Sequence, residues 1–283
     1  MAEQYNLRLL CQNLFDHSKR LAFFALTLRV LLFAIGSIFV LFAFNFPQLP
    51  LLIALFSLVA EIFQWSSDAA KSSSESLMRN LEFQESFGWP ISNSMLSDVL
   101  ATIPGWIKKT IKDKKPEKEY FTSQQEKPLL KALENLQESA WWSKHLANRM
   151  GQIYLGATVI IVLASFAVLL VSVETVQSFT VLQNISRVVT STIMLLFSLK
   201  FIRLTADYNN FGKKAEQIES RAEHLSKIKK LKEIQVIRLF HEYQLSRAAS
   251  PLIPTWLWKY MNAELNALWI TYRTTSVSKV EKQ

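Results

Sequence analysis

The stretch Ile153–Val173, IYLGATVIIVLASFAVLLVSV, holds twenty-one residues without a charge or a proline. A helix of about 20 residues spans the roughly 30 Å hydrocarbon core of a bilayer, whereas a helix on a soluble core keeps one polar face. Because lipid offers the backbone no hydrogen-bond partner, a run of this length is expected to be helical. The stretch therefore predicts a transmembrane helix with the rest of the chain arranged around a membrane.

The composition agrees with a membrane protein. Of 283 residues, 50% are hydrophobic and 19% charged, and the net charge is +9. The basic residues flank hydrophobic runs, which indicates retention on the cytoplasmic side; no nucleic-acid-binding motif accompanies them. The single cysteine, Cys11, excludes an internal disulfide. Without a cleavage site near the amino terminus, the first hydrophobic run is expected to be a retained anchor.

Two hydrophobic hairpins bracket a polar block. Residues 1–20 predict a cytoplasmic helix, 21–65 a first hairpin that turns at Pro47–Pro50, 66–151 a cytoplasmic helical domain, 152–202 a second hairpin, and 203–283 a cytoplasmic helical tail. Both hairpin turns carry almost no positive charge, so both termini are predicted to be cytoplasmic. The predicted fold class is all-α: a multi-pass inner-membrane protein with four transmembrane helices and a helical cytoplasmic domain.

The polar segments leave some alternatives open. The stretch Lys108–Tyr120 is either a solvated loop or a contact for anionic lipid headgroups. Apolar residues from Leu225 to Leu239 recur every three or four positions, which predicts a helical stripe that pairs with another copy. Trp256, Trp258 and Trp269 either lie in the membrane interface or pack on the middle block.

Catalytic motifs are absent from the sequence. The four histidines are scattered, one cysteine cannot build a thiolate site, and six dispersed glycines form no phosphate loop. No Gly-x-Ser-x-Gly element is present. The sequence therefore predicts neither an enzyme nor a resident metal or cofactor.

Four charged residues interrupt the predicted spans: Arg29, Glu61, Arg187 and Lys200. A charge at mid-bilayer costs roughly 3 kcal/mol or more, so it is expected to face protein or water. Arg29 and Lys200 would reach the headgroups from the ends of their helices. Glu61 and Arg187, with Arg29, are candidate pore-lining residues. The alternative for Glu61 is a buried partner such as Gln64, Asn45 or a neighbouring subunit; hairpin symmetry also predicts a pair between Arg29 and Asp68.

Three motifs carry a family resemblance: QESFGWPIS at 84–92, ENLQESAWWSKHLANRM at 134–150 and SPLIPTWLWKYMNAEL at 250–265. With the two hairpins, they make the chain resemble the SMODS-associated four-transmembrane effectors of bacterial anti-phage systems. The resemblance implies a pore-forming effector. A partner cyclic-oligonucleotide synthase would detect infection, and its product would act on the cytoplasmic side and cause the membrane to be breached.

A cyclic oligonucleotide presents phosphates and stackable bases, so a receptor needs cations and aromatic faces. The candidate ligand-binding residues flank the predicted spans: Arg79, Trp89, Trp141, Trp142, Lys144 and Arg149. The tryptophans would alternatively be core or interfacial residues, and the cations ordinary cytoplasmic flanks.

Four helices are too few to enclose a path, so a homo-oligomer in the bilayer is expected. The rival functions are a ligand-gated ion channel without a defence role and a membrane-anchored scaffold.

Overall fold

The computed structural model describes residues 6–42, 46–105, 107, 121, 123 and 125–280, and these residues are mostly helical with no strand among them. The predicted loop at Lys108–Tyr120 and the candidate partner Asn45 lie outside the described residues. The principal helices are α1 (Leu7–Leu41), α2 (Leu49–Phe87), α3 (Asn93–Thr102), α4 (Pro128–Thr175), α5 (Phe179–Ser198), α6 (Phe201–Ser226), α7 (Glu233–Ala249) and α8 (Thr255–Val280).

Four of the described helical stretches are long and apolar enough to cross a membrane: α1, α2, α4 and the stretch Phe179–Ser226. In the most apolar 18-residue window of each, at most 17% of the residues are buried. Leu, Ile, Val and Phe side chains therefore cover the outside of these helices, which water would solvate poorly and lipid solvates well. The all-α class is confirmed, and the four helices indicate a multi-pass membrane protein.

The chain divides into two compact units. The apolar unit comprises residues 17–71 and 151–206, and the polar unit comprises the described residues of 1–16, 72–150 and 207–283. The boundaries between the two units fall after residues 16, 71, 150 and 206, whereas the sequence predicted boundaries after residues 20, 65, 151 and 202. α1, α2, α4 and α6 each contribute residues to both units.

In the apolar unit, small residues join α1 to α2. The Ser18 hydroxyl donates to the Ser67 carbonyl oxygen at 2.8 Å, and the Ser67 hydroxyl donates to the Ser18 carbonyl oxygen at the same distance. Ala25 on α1 and Ala60 on α2 are fully buried. Because lipid gives apolar helices no hydrophobic reason to associate, close backbone approach and such hydrogen bonds stabilise a hairpin in a membrane.

The second hairpin contains a break that the sequence did not predict. The expected run from Phe179 to about Ile202 is divided at Leu199 and Lys200, and Lys200 adopts a left-handed conformation with φ of 57°. α6 then begins at Phe201, whose ring lies 5.1 Å from the ring of Tyr154 on α4. A residue with a β-carbon is disfavoured in that conformation, so the joint between α5 and α6 is a strained one.

In the polar unit, the start of α1 packs on α2 and α3. Leu10, Leu14, Leu77 and Leu81 form a buried cluster with neighbours from and beyond α3. α1 begins at Leu7 and continues without interruption into the first predicted span. α2 ends at Phe87, and Gly88 follows with φ of 72°, a conformation in which glycine carries no steric cost.

The predicted helical stripe from Leu225 to Leu239 is wrong. α6 ends at Ser226 and α7 begins at Glu233, so Ile228 and Leu231 lie in a connecting segment. Four lysines crowd this segment, and the Lys232 backbone N–H donates to Gln235 Oε1 at 3.3 Å, which helps to begin the new helix. Leu239 is fully buried within the polar unit. No continuous apolar face remains here for a coiled coil.

A buried ionic cluster joins α7 to α2. The Arg247 guanidinium donates to Glu82 Oε1 at 2.5 Å and to Glu75 Oε2 at 3.0 Å, and Gln244 Nε2 donates to Glu82 Oε2 at 2.9 Å. Burial alone would lower the pKa of Arg247, but the Glu82 and Glu75 carboxylates raise it well above its usual value. Arg247 therefore stays charged and compensates two buried carboxylates.

We expect Arg247→Met to destabilise α7, because it leaves Glu75 and Glu82 buried without their cation. Breaking a buried pair in this way costs about 3–5 kcal/mol, which corresponds to a roughly hundredfold or greater loss of amide-exchange protection along α7. The measurement is hydrogen exchange of the full chain in detergent. Arg238→Met on the same helix is the matched control, since Arg238 is exposed and has no ion pair within the described residues. Equal protection in both variants would contradict the assignment.

Candidate functional site

Arg29 and Glu61 form an ion pair inside the first hairpin. Arg29 Nη2 lies 2.6 Å from Glu61 Oε2. Arg29 is twelve residues from the end of α1 and Glu61 twelve from the start of α2, about 18 Å along each helix at 1.5 Å per residue. The pair gives each charge a partner in a segment where lipid offers none. Glu61 therefore has a partner in its own chain, although not one of those considered from the sequence.

The predicted pair between Arg29 and Asp68 is wrong. Asp68 lies seven residues beyond Glu61, about two helical turns, and instead accepts a hydrogen bond from Gln64 Nε2 at 3.1 Å on its own helix. Hairpin symmetry gave the approximate depth of Arg29, but the side-by-side register of two helices depends on packing that periodicity does not encode.

Arg187 differs from Arg29. It is exposed on α5 and makes no hydrogen bond or ion pair with any residue in the described part of the chain. Val189 and Leu196, the buried residues of α5, lie on the opposite side of the helix at 100° per residue. Arg187 thus points away from the packed side of its helix.

A stripe of polar side chains accompanies Arg187 along α5. At helical spacing, six further polar residues fall on the same side as Arg187, and the exposed, apolar Met194 is the one interruption among them; we call this side the polar face of α5. Its members are Thr180, Gln183, Asn184, Arg187, Thr190, Ser191 and Ser198. All are exposed except Asn184, which is half-buried. Of this set, only Arg187 was predicted from the sequence to line a pore, because a single charge in an apolar run is a stronger signal than the spacing of neutral polar residues.

The candidate ligand-binding residues on α4 are largely engaged in packing. Trp141 is 6% exposed, and its ring lies 5.3 Å from that of Trp269 on α8 and 5.8 Å from that of Trp142. Lys144 Nζ lies 2.6 Å from Glu219 Oε2. Trp141 therefore packs in the core, as does Trp269, whereas Trp256 and Trp258 are exposed. Neither face of the Trp141 ring is open to a base in this conformation, while Arg149 on the same helix is exposed.

Trp89 lies in a second aromatic cluster at the end of α2. Its ring stacks on Phe83 at 5.3 Å and 16°, and Phe83 in turn lies 5.8 Å from Phe240 on α7. Trp89 remains 44% exposed, and Arg79 is half-buried one turn before Phe83. The structure thus gives these two residues local surroundings that are distinct from those of Trp141, Trp142 and Lys144. Binding of a nucleotide by any of the six stays a prediction.

The buried Glu219, which pairs with Lys144, and the half-buried Tyr272 both have shifted pKa values. Burial raises the pKa of Glu219, although the hydrogen bond from Lys144 opposes this effect. Burial, together with the nearby Glu223 and Glu219 carboxylates, raises the pKa of Tyr272 to about 12. Gln137 Nε2 donates to the Tyr272 hydroxyl at 3.0 Å, and that hydroxyl donates to Glu223 at 3.2 Å. These contacts join α4, α6 and α8 in a structural network.

For the hairpin pair, we expect Arg29→Leu to lower the Tm of the full chain in detergent, because Glu61 then loses its cation. The shift is about 3 °C, as for a loss of about 1 kcal/mol in a chain of this size. The exchange Arg29→Glu with Glu61→Arg should restore most of the loss, and Asp68→Asn should leave Tm unchanged. A double exchange as unstable as the single variant would contradict the pair.

Comparison of the chain with protein-family models, with curated proteins and with solved structures found no match. The resemblance to the four-transmembrane effectors therefore depends on the sequence motifs and the layout of the hairpins. The function is inferred from the residues of the chain itself, above all from the polar face of α5.

Proposed function

We propose that the chain is a membrane-permeabilising effector that acts as an oligomer in a bacterial inner membrane. A cyclic oligonucleotide made by a partner synthase would trigger it on the cytoplasmic side. The observation that carries the proposal is the polar face of α5, an exposed row of hydroxyl, amide and guanidinium groups on a helix of membrane-spanning character. In a solitary copy this face would meet lipid, where polar groups are costly.

Association relieves this cost. Several copies that turn the polar face of α5 toward a common axis would surround a water-filled path and keep the apolar sides of their helices toward lipid. One helix face cannot enclose a path, so a ring of copies is required. Arg187 would then line the path and favour the passage of anions, as rings of arginine do in anion-selective pores.

The trigger and the defence role derive from the resemblance. Its three motifs lie at 84–92, 134–150 and 250–265, all within the polar unit. A ligand-gated channel without a defence role is compatible with the same polar face and differs only in the source of its ligand. The scaffold alternative has lost its main support, because the helical stripe from Leu225 to Leu239 is interrupted.

Leakage from proteoliposomes tests the role of the polar face. We expect Thr190→Val to reduce ion release, because it removes a hydroxyl from the path, whereas Thr192→Val should not. Thr192 lies off the polar face and donates its hydroxyl to the Val188 carbonyl oxygen at 2.9 Å within its own helix. Release is measured for the full chain with and without a panel of cyclic di- and trinucleotides in the buffer.

Ion selectivity gives a second readout of the same path. Arg187→Glu should shift the reversal potential in a salt gradient from anion toward cation preference, since the fixed charge in the path changes sign. If Arg187 faced lipid instead, Arg187→Leu would leave both leakage and selectivity unchanged, and that result would overturn the assignment.

Thiol labelling in cells tests the predicted topology. Cys11 is buried, and burial raises the pKa of its thiol to about 12, so the native cysteine should not react. We expect a cysteine at Gln177, between α4 and α5, to react with an impermeant maleimide in intact cells. A cysteine at Ser220 on α6 should react only after the membrane is opened. The reverse pattern would place the termini outside the cell.

A further inference from the structure

A cationic cavity lies between the end of α6 and the start of α7, within the polar unit. Its volume is about 330 Å³, within the range of pockets that hold small organic ligands. Its lining consists of Arg221, His224, Leu225, Ile234, Gln235 and Arg238. None of these residues belongs to the ligand-binding set predicted from the sequence.

The charges around this cavity favour an anion. Arg238 is exposed and makes no hydrogen bond or ion pair within the described residues. Arg221 Nη1 lies 2.6 Å from Glu242 Oε2, but Glu242 also pairs with Lys214, so one carboxylate is shared by two cations. Because guanidinium has five N–H donors, Arg221 retains capacity for a further acceptor.

The connecting segment adds to this positive charge. Residues 227–232, KIKKLK, contain four lysines in six positions between the two helices that line the cavity. Besides Glu242, the acidic residues nearby are Glu223, which pairs with Lys227, and Glu233 at the start of α7. Cations remain in excess, and an arginine fork matches the geometry of phosphate oxygens.

Apolar surface lies among these cations. Leu225 and Ile234 line the cavity, and Ile234 is 63% exposed even though it is β-branched and apolar. An inorganic anion alone would leave the apolar surface of Leu225 and Ile234 in contact with water. A ligand that carries both phosphate and a flat ring would cover it, with the His224 imidazole as an additional planar contact.

We propose that this cavity binds a nucleotide, with its phosphate on Arg221 and Arg238 and its base against Leu225 and Ile234. That the bound nucleotide triggers permeabilisation rests on the proposed function. Binding of a nucleotide in this cavity does not depend on that function. An anionic lipid headgroup offers the same phosphate but no base, so the two sources are separable by experiment.

The test measures binding by the full chain in nanodiscs of neutral lipid. The probes are fluorescent cyclic di- and trinucleotides, with inorganic pyrophosphate and vesicles containing anionic lipid in parallel. We expect Arg238→Gln to weaken the affinity for the best cyclic nucleotide about tenfold, as for the loss of a charge-assisted hydrogen bond. Ile234→Glu should weaken it similarly, because a carboxylate enters the cavity.

Lys259→Gln is the matched control, since Lys259 is an exposed cation of the polar unit that does not line the cavity and belongs to neither candidate site. Unchanged affinity in Lys259→Gln together with loss in Arg238→Gln supports the cavity. Equal loss in both variants, or loss in Arg79→Gln with unchanged affinity in Arg238→Gln, overturns it. Affinity for anionic vesicles alone, or no binding of any nucleotide below about 1 mM, also overturns it. Tight binding without leakage from proteoliposomes would support the cavity and count against the proposed function.

Discussion

Apolar side chains on the outside of long helices are the constraint on which the rest of this structure depends. The windows of greatest hydropathy are almost wholly unburied, so the protein itself does not shield them from its surroundings. A bilayer removes this surface from water, and only helices satisfy their own backbone groups within it. The contacts between α1 and α2 follow from the same constraint, because Ser18, Ser67, Ala25 and Ala60 permit close approach where lipid gives no hydrophobic drive.

Three arginines of the chain differ in the carboxylates that pair with them. Arg29 is compensated within the first hairpin by Glu61. Arg247 is compensated twice within the polar unit, by Glu75 and Glu82. Arg187 has no compensation within the described residues and lies in line with hydroxyl and amide groups. Arg29 and Arg187 thus differ in their surroundings, although the sequence placed both within apolar runs.

The four long apolar helices could be predicted from the sequence because long uncharged runs have few other structures open to them, whereas the break at Leu199 and Lys200 could not. The contacts between helices could not. Glu61 and Asp68 both lay at plausible depth for Arg29, and only the packing register selects Glu61. The interruption after Ser226 was missed because Leu225, Ile228 and Leu231 keep helical spacing in a segment without glycine or proline. There, four lysines in six residues were the available signal.

The candidate sites show the same division between composition and packing. Trp141 and Trp142 were considered as stacking platforms because tryptophan beside cations suits a nucleotide, but Trp269 on a distant segment of the chain covers Trp141. The carboxylates Glu75 and Glu82 lie seven residues apart on α2, so their shared face was visible in the sequence, whereas their partner Arg247 was not. Periodicity reveals which residues share a face, and the tertiary fold decides what that face meets.

α6 links the two proposals physically. It carries Arg221 and His224 of the cavity near its end, and it begins at Phe201, directly after the left-handed Lys200 that closes α5. The described residues of α6 form one uninterrupted helix, whereas the backbone at Lys200 is held in a costly conformation. The joint at Lys200 is therefore the point in the chain at which the helix that lines the cavity follows the helix that carries the polar face.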